Sequence, residues 1–145
     1  MAVDVLTEIT IARPVDVVAG YAGDPTNAPQ WYANIDSVRW LTEPPLRVGS
    51  RMAFVARFLG RRLAYTYEVV EHEPGHRLVM STAQGPFPTE TTYTWEPVDA
   101  GTRMSLRNRG EPAGFAAATA GVMASAMRRA NRKDLARLRA VLEAG

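Results

Sequence analysis

The stretch Phe115–Glu143, FAAATAGVMASAMRRANRKDLARLRAVLE, has no proline and is rich in alanine and arginine, both strong helix formers. It predicts one long closing helix. Its two halves differ. Phe115 to Met127 carries no charge and is mostly Ala, Gly, Thr and Ser. From Arg128 onward, Met127, Leu135, Leu138 and Leu142 fall on one stripe with arginines outside it, the pattern of an amphipathic helix.

Everything before this helix prepares a surface for it. Val3, Val5, Ile9 and Ile11 alternate with Asp4, Glu8 and Thr10, a half-buried first strand. Pro14 to Ala22 reads as a short helix ended by Gly23, with Pro14 in the first turn and Asp16 favoured there by the helix dipole. Asp24-Pro25 restarts a brief, irregular helix over Pro25 to Tyr32, with Asp24 as N-cap. Six strand patterns follow: Ser37 to Leu41, Arg51 to Phe58, Arg62 to Glu71, Arg77 to Thr82, Thr89 to Glu96 and Thr102 to Arg109. They are separated by Glu43-Pro44-Pro45, Gly60, Pro74-Gly75, a loop with Gly85-Pro86 and Pro88, and Asp99-Ala100-Gly101. Short turns between consecutive strands predict an antiparallel meander. The fold class is therefore α+β: a curved antiparallel sheet of about seven strands, two short helices between strands 1 and 2, and a final helix as the one long element able to cover the sheet. No repeat or linker interrupts residues 1–145, which read as a single domain.

In this order and spacing, several short motifs resemble the START-like (SRPBCC) superfamily, which includes the polyketide cyclase/dehydrase-like and birch-pollen-allergen-like proteins. They are Asp24-Pro25 with Trp31, Val48-Gly49-Ser50-Arg51, Glu73-Pro74-Gly75-His76-Arg77-Leu78, Gly101-Thr102-Arg103 and the closing helix. The resemblance covers nearly the whole chain. It implies a helix-grip fold, a sheet wrapped around the C-terminal helix with a cavity between them. It also implies a hydrophobic guest: members bind lipids, polyketides, hormones or aromatic compounds, and some act on them.

The residues argue for a cavity independently. Phe54, Phe58, Tyr65, Tyr67, Tyr93 and Trp95 are large and share the sheet face opposite a half-helix of small residues, Ala116 to Gly121. Small side chains do not reach far, so either the helix approaches the sheet closely or space remains. A sheet that curves away from a straight helix favours space, and apolar concavities with a few polar groups are the usual ligand sites. The expected lining adds Trp31, Trp40, Met80, Met104 and Asn108 from the sheet side, and Phe115, Thr119, Val122 and Met123 from the helix. The tyrosines and tryptophans there are also compatible with a purely structural role, with satisfied polar tips at the edge of the core.

No catalytic acid–base pair stands in an obvious place. By resemblance to the cyclases, a phenol or guanidinium would hold an enolate oxygen while the cavity folds a poly-β-ketone chain. Tyr65, Tyr67 and Arg39 are the candidates; Arg39, like Glu90, faces inward only if a bulge reverses the alternation. His72-Glu73-Pro74-Gly75-His76 matches a zinc-protease string, but Pro74-Gly75 belongs in a turn, and the chemistry needs both histidines on one helical face. No metal and no cofactor are expected. A triad is disfavoured because the chain's two histidines both fall at a strand end or turn.

The 145 residues include no cysteine, which excludes disulfides and thiolate chemistry. Seventeen basic residues, all arginine but Lys133, oppose fifteen acids. Six of them (Arg128, Arg129, Arg132, Lys133, Arg137, Arg139) crowd the last 20 positions. No aromatic residue lies among them to stack a base, so they read as a solvated helix face and nucleic acid is not an expected partner. No apolar run is long enough to span a membrane, the start lacks a signal-peptide pattern, and the cytoplasm is the expected location. Monomer and homodimer are both compatible with the exposed edges. The expected partner is a small hydrophobic ligand. The competing reading is a protein-interaction or cochaperone-like module of the same fold with no ligand.

Overall fold

In the computed structural model, residues 3–58, 60–83, 88–111 and 120–145 are described, apart from the side chains at positions 58 and 61. Seven strands form one sheet: β1 (Val3–Ile11), β2 (Ile35–Trp40), β3 (Arg51–Phe58), β4 (Arg61–Glu73), β5 (Arg77–Thr82), β6 (Thr89–Val98) and β7 (Gly101–Gly110). Their spatial order is β1-β7-β6-β5-β4-β3-β2. Every pairing is antiparallel. β2 to β7 are thus the predicted meander, and β1 closes its far edge against β7. Between β1 and β2 stand α1 (Val15–Ala22), a 3-10 turn (Pro25–Asn27) and α2 (Ala28–Trp31). Asp24 caps the 3-10 turn, its carboxylate accepting from the Thr26 N–H at 3.0 Å. The long helix α3 is described over Ala120–Ala144. The Gly85-Pro86 loop and the expected helix start at Phe115 lie outside the described residues.

The period-two patterns place inward faces as expected. Val3, Val5, Thr7 and Ile11 of β1 are buried, as are Thr102, Met104, Leu106 and Asn108 of β7. Register shifts between Ile35 and Ser37, and between Val69 and Glu71, mark bulges that accompany the curvature of the sheet. The second moves the start of the β5 pairing without exposing Val69, which stays fully buried. On the outer face, arginines are matched with carboxylates across strands. Arg107 meets Asp4 at 2.6 Å and Arg109 meets Glu90 at 2.6 Å. Exposed pairs of this kind add little stability, but they show which side faces water.

α3 runs along the concave face beside β1. Its inward stripe is Ala120, Met127, Asn131, Leu135, Leu138 and Leu142, with Asp134 at the margin. The buried apolar residues fall into two clusters. A small one joins Val3, Val5 and Ala120, with Met123, Ala124 and Met127 against it. The main one runs from Ile11 and α1 through Trp31, Phe54, Tyr93 and Trp95 to Leu135, Leu138 and Leu142. Two contacts lock the far end of α3 to the end of β1. Glu143 Oε2 accepts from the Ala12 N–H at 2.8 Å, and Arg13 donates to the Leu142 carbonyl at 2.9 Å, satisfying one of the orphan carbonyls of the last helical turn.

The zinc-protease string takes the geometry of a hairpin. His72 lies on β4, and Pro74-Gly75 form a turn with Gly75 at φ +80. The His76 N–H donates to the Glu73 carbonyl at 2.9 Å. The two histidines are not one helical turn apart, which removes the geometry that the motif needs.

Candidate ligand-binding site

The concave face carries an aromatic cluster that the strand registers assemble. Phe54 on β3 faces Tyr65 on β4, and Met52 faces Tyr67. The Tyr65 ring stacks on Phe54 at 6.2 Å, and Tyr67 meets Phe54 edge-on at 5.4 Å. From the helical segment, Trp31 is fully buried; it lies 4.1 Å from the Tyr32 ring and 5.9 Å from Tyr93. Tyr93 in turn meets Trp95 at 6.0 Å.

Polar groups thread this cluster. The Tyr67 and Thr91 hydroxyls are 3.4 Å apart, and Thr91 donates to Asn108 Oδ1 at 2.9 Å. Because the Thr91 proton goes to Asn108, the Tyr67 hydroxyl is the donor to Thr91. The Tyr32 and Tyr93 hydroxyls lie 2.5 Å apart. One donates to the other, so the pair keeps one further O–H to offer. Burial pushes all these phenols up: Tyr65 to about 12, Tyr67 and Tyr93 above their ordinary value, and Tyr32 well above it, with Tyr93 beside it adding to the effect. At neutral pH they are therefore hydrogen-bond donors rather than bases.

Asp134 completes the site from α3. It is buried, and its Oδ1 accepts from the Ala33 N–H at 3.1 Å, just past α2. Desolvation raises its pKa, opposed by that N–H and by Arg137 one turn on. A carboxyl whose folded pKa is raised binds its proton more tightly in the native state, so stability falls as pH rises through the carboxylate range. Asp134→Asn keeps an acceptor for Ala33 and removes the buried charge. The variant is expected to be more stable than the wild type at pH 7, with the gap closing below about pH 4, where both side chains are neutral. Urea unfolding at about pH 7 and about pH 3.5 measures this; an equal gap at both pH values would contradict it.

Several sequence-predicted residues stand elsewhere. Arg39 is exposed on the outer face, because the bulge at Ile35/Ser37 precedes it and Val38 and Trp40 keep the inward positions. Glu90 likewise faces out, toward Arg109. Val122 is 74% exposed, since the helix turns it away from the stripe that begins at Ala120. Trp40 donates its indole N–H to Thr26 at 3.0 Å, pinning β2 to the 3-10 turn. Met104 is fully buried in the main cluster, Met80 belongs to the same cluster, and Met123 packs in the small one. Phe115, Thr119 and the Phe58 side chain lie outside the described residues. Sequence reasoning missed Tyr32, Asn131 and Asp134. A signal for Asn131 exists, because it occupies the position of the missing tooth between Met127 and Leu135 in the apolar stripe.

A void of about 10 Å³ is bounded by Ala22, Gly23, Pro25, Ala28, Phe54, Leu78, Met80 and Tyr93, room for a single water. Along Ala120 to Met127, small side chains bring α3 close to Val3 and Val5 rather than holding it away. Of the small-residue stretch Ala116 to Gly121 that predicts the opening, residues 116–119 lie outside the described residues, and Ala120 packs on Val3 and Val5.

A family model described as polyketide cyclase/dehydrase and lipid transport matches residues 2–143. The chain belongs to that family. Solved structures agree on the fold. The protein TTHA0849 from Thermus thermophilus superposes with a TM-score of 0.82 at 21% identity, over 97% of each chain. The ZhuI aromatase/cyclase from Streptomyces sp. R1128 gives 0.81 at 17% identity, covering 99% of this chain and 94% of that one. The di-domain aromatase/cyclase StfQ of the steffimycin pathway gives 0.82 at 14% identity; the match covers 99% of this chain and 51% of that one. At such identities the likeness concerns the helix-grip fold. No curated protein is a significant match in sequence. In this member of the polyketide cyclase/dehydrase family, the concave sheet face carries Tyr65, Tyr67, Tyr93 and Asn108, and the long helix carries the buried Asn131 and Asp134.

Proposed function

We propose that this protein binds a small, largely apolar molecule (a lipid, a polyketide or another aromatic compound) between its sheet and its long helix. The finer form of the reading is cyclase/dehydrase-like processing of that guest. The observation that carries it is the convergence of the buried hydroxyls of Tyr93 and Thr91 and the half-buried ones of Tyr32 and Tyr67 with Asn108 and Asp134 in an interior otherwise built of aromatic and aliphatic groups. Each has a partner inside, as burial requires, and the Tyr32–Tyr93 pair keeps one O–H that a guest can meet.

Protonated phenols suit one kind of work. They donate to an oxygen that gains charge, as an enolate does, while the apolar walls hold the carbon chain in one conformation. The Tyr32–Tyr93 pair has its spare O–H for this, and the Asp134 carboxyl is close enough for its charge to help hold both phenols protonated. Tyr65→Phe or Tyr67→Phe with unaltered turnover would remove the residue concerned from that role.

A thermal-shift and native mass spectrometry screen with fatty acids, sterols and aromatic polyketides tests the binding. A true ligand raises the melting temperature with the logarithm of its concentration above Kd. Flat melting temperatures across the three classes would overturn the reading. They would favour the second one, a protein-interaction module without a ligand.

A further inference from the structure

The buried polar side-chain atoms left without a partner among the described residues are Trp31 Nε1, Trp95 Nε1 and Asn131 Nδ2. All three are N–H donors, and no buried acceptor joins them. The Tyr32–Tyr93 pair adds one more unspent O–H. The three N–H donors have no protein oxygen within hydrogen-bond reach among the described residues.

Asn131 has the most telling place. It is 6% exposed and sits on the inward stripe of α3 where the spacing Met127, Leu135, Leu138, Leu142 calls for an apolar residue. It also falls where the two apolar clusters part. Val3 and Val5 pack with the helix before it, while Ile11 shares a cluster with Leu135, Leu138 and Leu142 after it. The level of β1 between these contacts carries Thr7, whose hydroxyl proton goes to the Leu106 carbonyl at 3.3 Å and which makes no bond to Asn131 Nδ2. A leucine at 131 would join the clusters and orphan nothing. An amide there places a buried donor that no oxygen of the described residues meets, which costs stability unless something brings an oxygen to it.

We propose that Asn131 is a specificity-determining residue of the interior site, its carboxamide N–H donating to an acceptor oxygen (a ketone, ester or ether) on an otherwise apolar guest. The inference rests on the ligand-binding reading above and adds which chemistry the guest presents. Guests with acceptor oxygens are favoured over hydrocarbons of the same shape, and guests whose polar groups only donate gain nothing at this position.

A matched pair of probes, 2-acetylnaphthalene and 2-ethylnaphthalene, separates this from shape selection. The wild type is expected to bind the ketone about two- to tenfold more tightly than the hydrocarbon, the worth of one neutral hydrogen bond. Asn131→Leu is expected to abolish that preference while binding the hydrocarbon as well as the wild type or better, with a melting temperature no lower. A ketone preference that survives in Asn131→Leu overturns the role of Asn131 and leaves the ligand-binding reading standing. Binding of neither probe by the wild type, together with the flat screen described above, overturns both. Should Asn131→Leu fail to fold, the side-chain amide resonances of Asn131 in the wild-type protein decide. The ketone is expected to shift them and the hydrocarbon is not; equal responses, or none, with a probe bound would mean that the donor serves a water only and would overturn the proposal.

Discussion

Truncating Trp31 to alanine is expected to destabilise the protein by about 3–5 kcal/mol, the range for removing a large aromatic side chain from a packed core. Trp31 has no exposed surface, and its ring is wedged between Tyr32 and Tyr93. The segment carrying it is also held from outside, by Asp134 on the Ala33 N–H and by Arg137 on the Gln30 carbonyl at 2.8 Å, so α2 is not free to collapse into the hole. Whole domains are stable by only about 5–15 kcal/mol, so the loss is a large share of the total. Urea unfolding should show a lowered midpoint with an unchanged slope. Trp31→Phe is expected to cost less, because the indole N–H is unpartnered and no hydrogen bond leaves with it. A Trp31→Ala stability within about 1 kcal/mol of the wild type would mean that the site closes over the cavity, against the packing described.

Gly101→Ala is the second large effect. Gly101 opens β7 at φ +135, where side chains are rarely tolerated. A Cβ there would stand 2.2 Å from the Ile11 carbonyl oxygen and 2.9 Å from the Arg13 nitrogen. Both are backbone atoms at the end of β1, where Ile11 pairs with Thr102 and the Thr102 hydroxyl donates to the Arg13 carbonyl at 2.8 Å. Relief requires moving β1 away from β7, and with it the anchor of α3 at Ala12 and Arg13. The expected cost is at least about 3 kcal/mol, strain plus lost pairing. Gly75→Ala is the internal control. Its φ is +80, but nothing lies within 4 Å of a Cβ, so only the left-handed penalty of about 1–2 kcal/mol applies. Equal losses for the two variants, read from thermal or urea unfolding, would refute the steric account of Gly101.

The legible part of this fold is the part with a short period. Alternation in β1, β3, β4, β6 and β7 assigns Phe54, Tyr65, Tyr67, Tyr93, Trp95 and Met104 to the inner face, and the structure agrees for each. Pro74-Gly75 and Asp99-Ala100-Gly101 mark their turns because only a few residue types suit the backbone there. Arg39 depends on a tertiary fact. A bulge at a different place would have reversed it, and bulges carry no reliable local signal. Val122 shows another limit. Helical spacing says which residues share a stripe, but the first half of the helix has no charges to say which stripe faces water.

The site itself was half visible. The phenols of Tyr67 and Tyr93 can be named from strand parity, yet their partners cannot. Tyr32 meets Tyr93 across 61 positions, and Asp134 reaches the backbone of Ala33 across 101. Asn131 breaks an apolar stripe in plain sight, but only burial shows that its donor is unmet.

From the chain alone follow the strand and helix order and the inward faces, because periods of two and 3.6 residues are written locally in the side-chain pattern, while the helix-grip class follows from the family resemblance of its short motifs. The three-dimensional packing alone decides that the small residues at Ala120 and Ala124 draw the helix onto β1. It alone makes Asp134 a buried carboxyl beside Tyr32 and Tyr93, and it leaves the Trp31, Trp95 and Asn131 N–H groups without a partner among the described residues. Desolvation and hydrogen-bond satisfaction depend on every neighbour at once, and no stretch of sequence holds all of them.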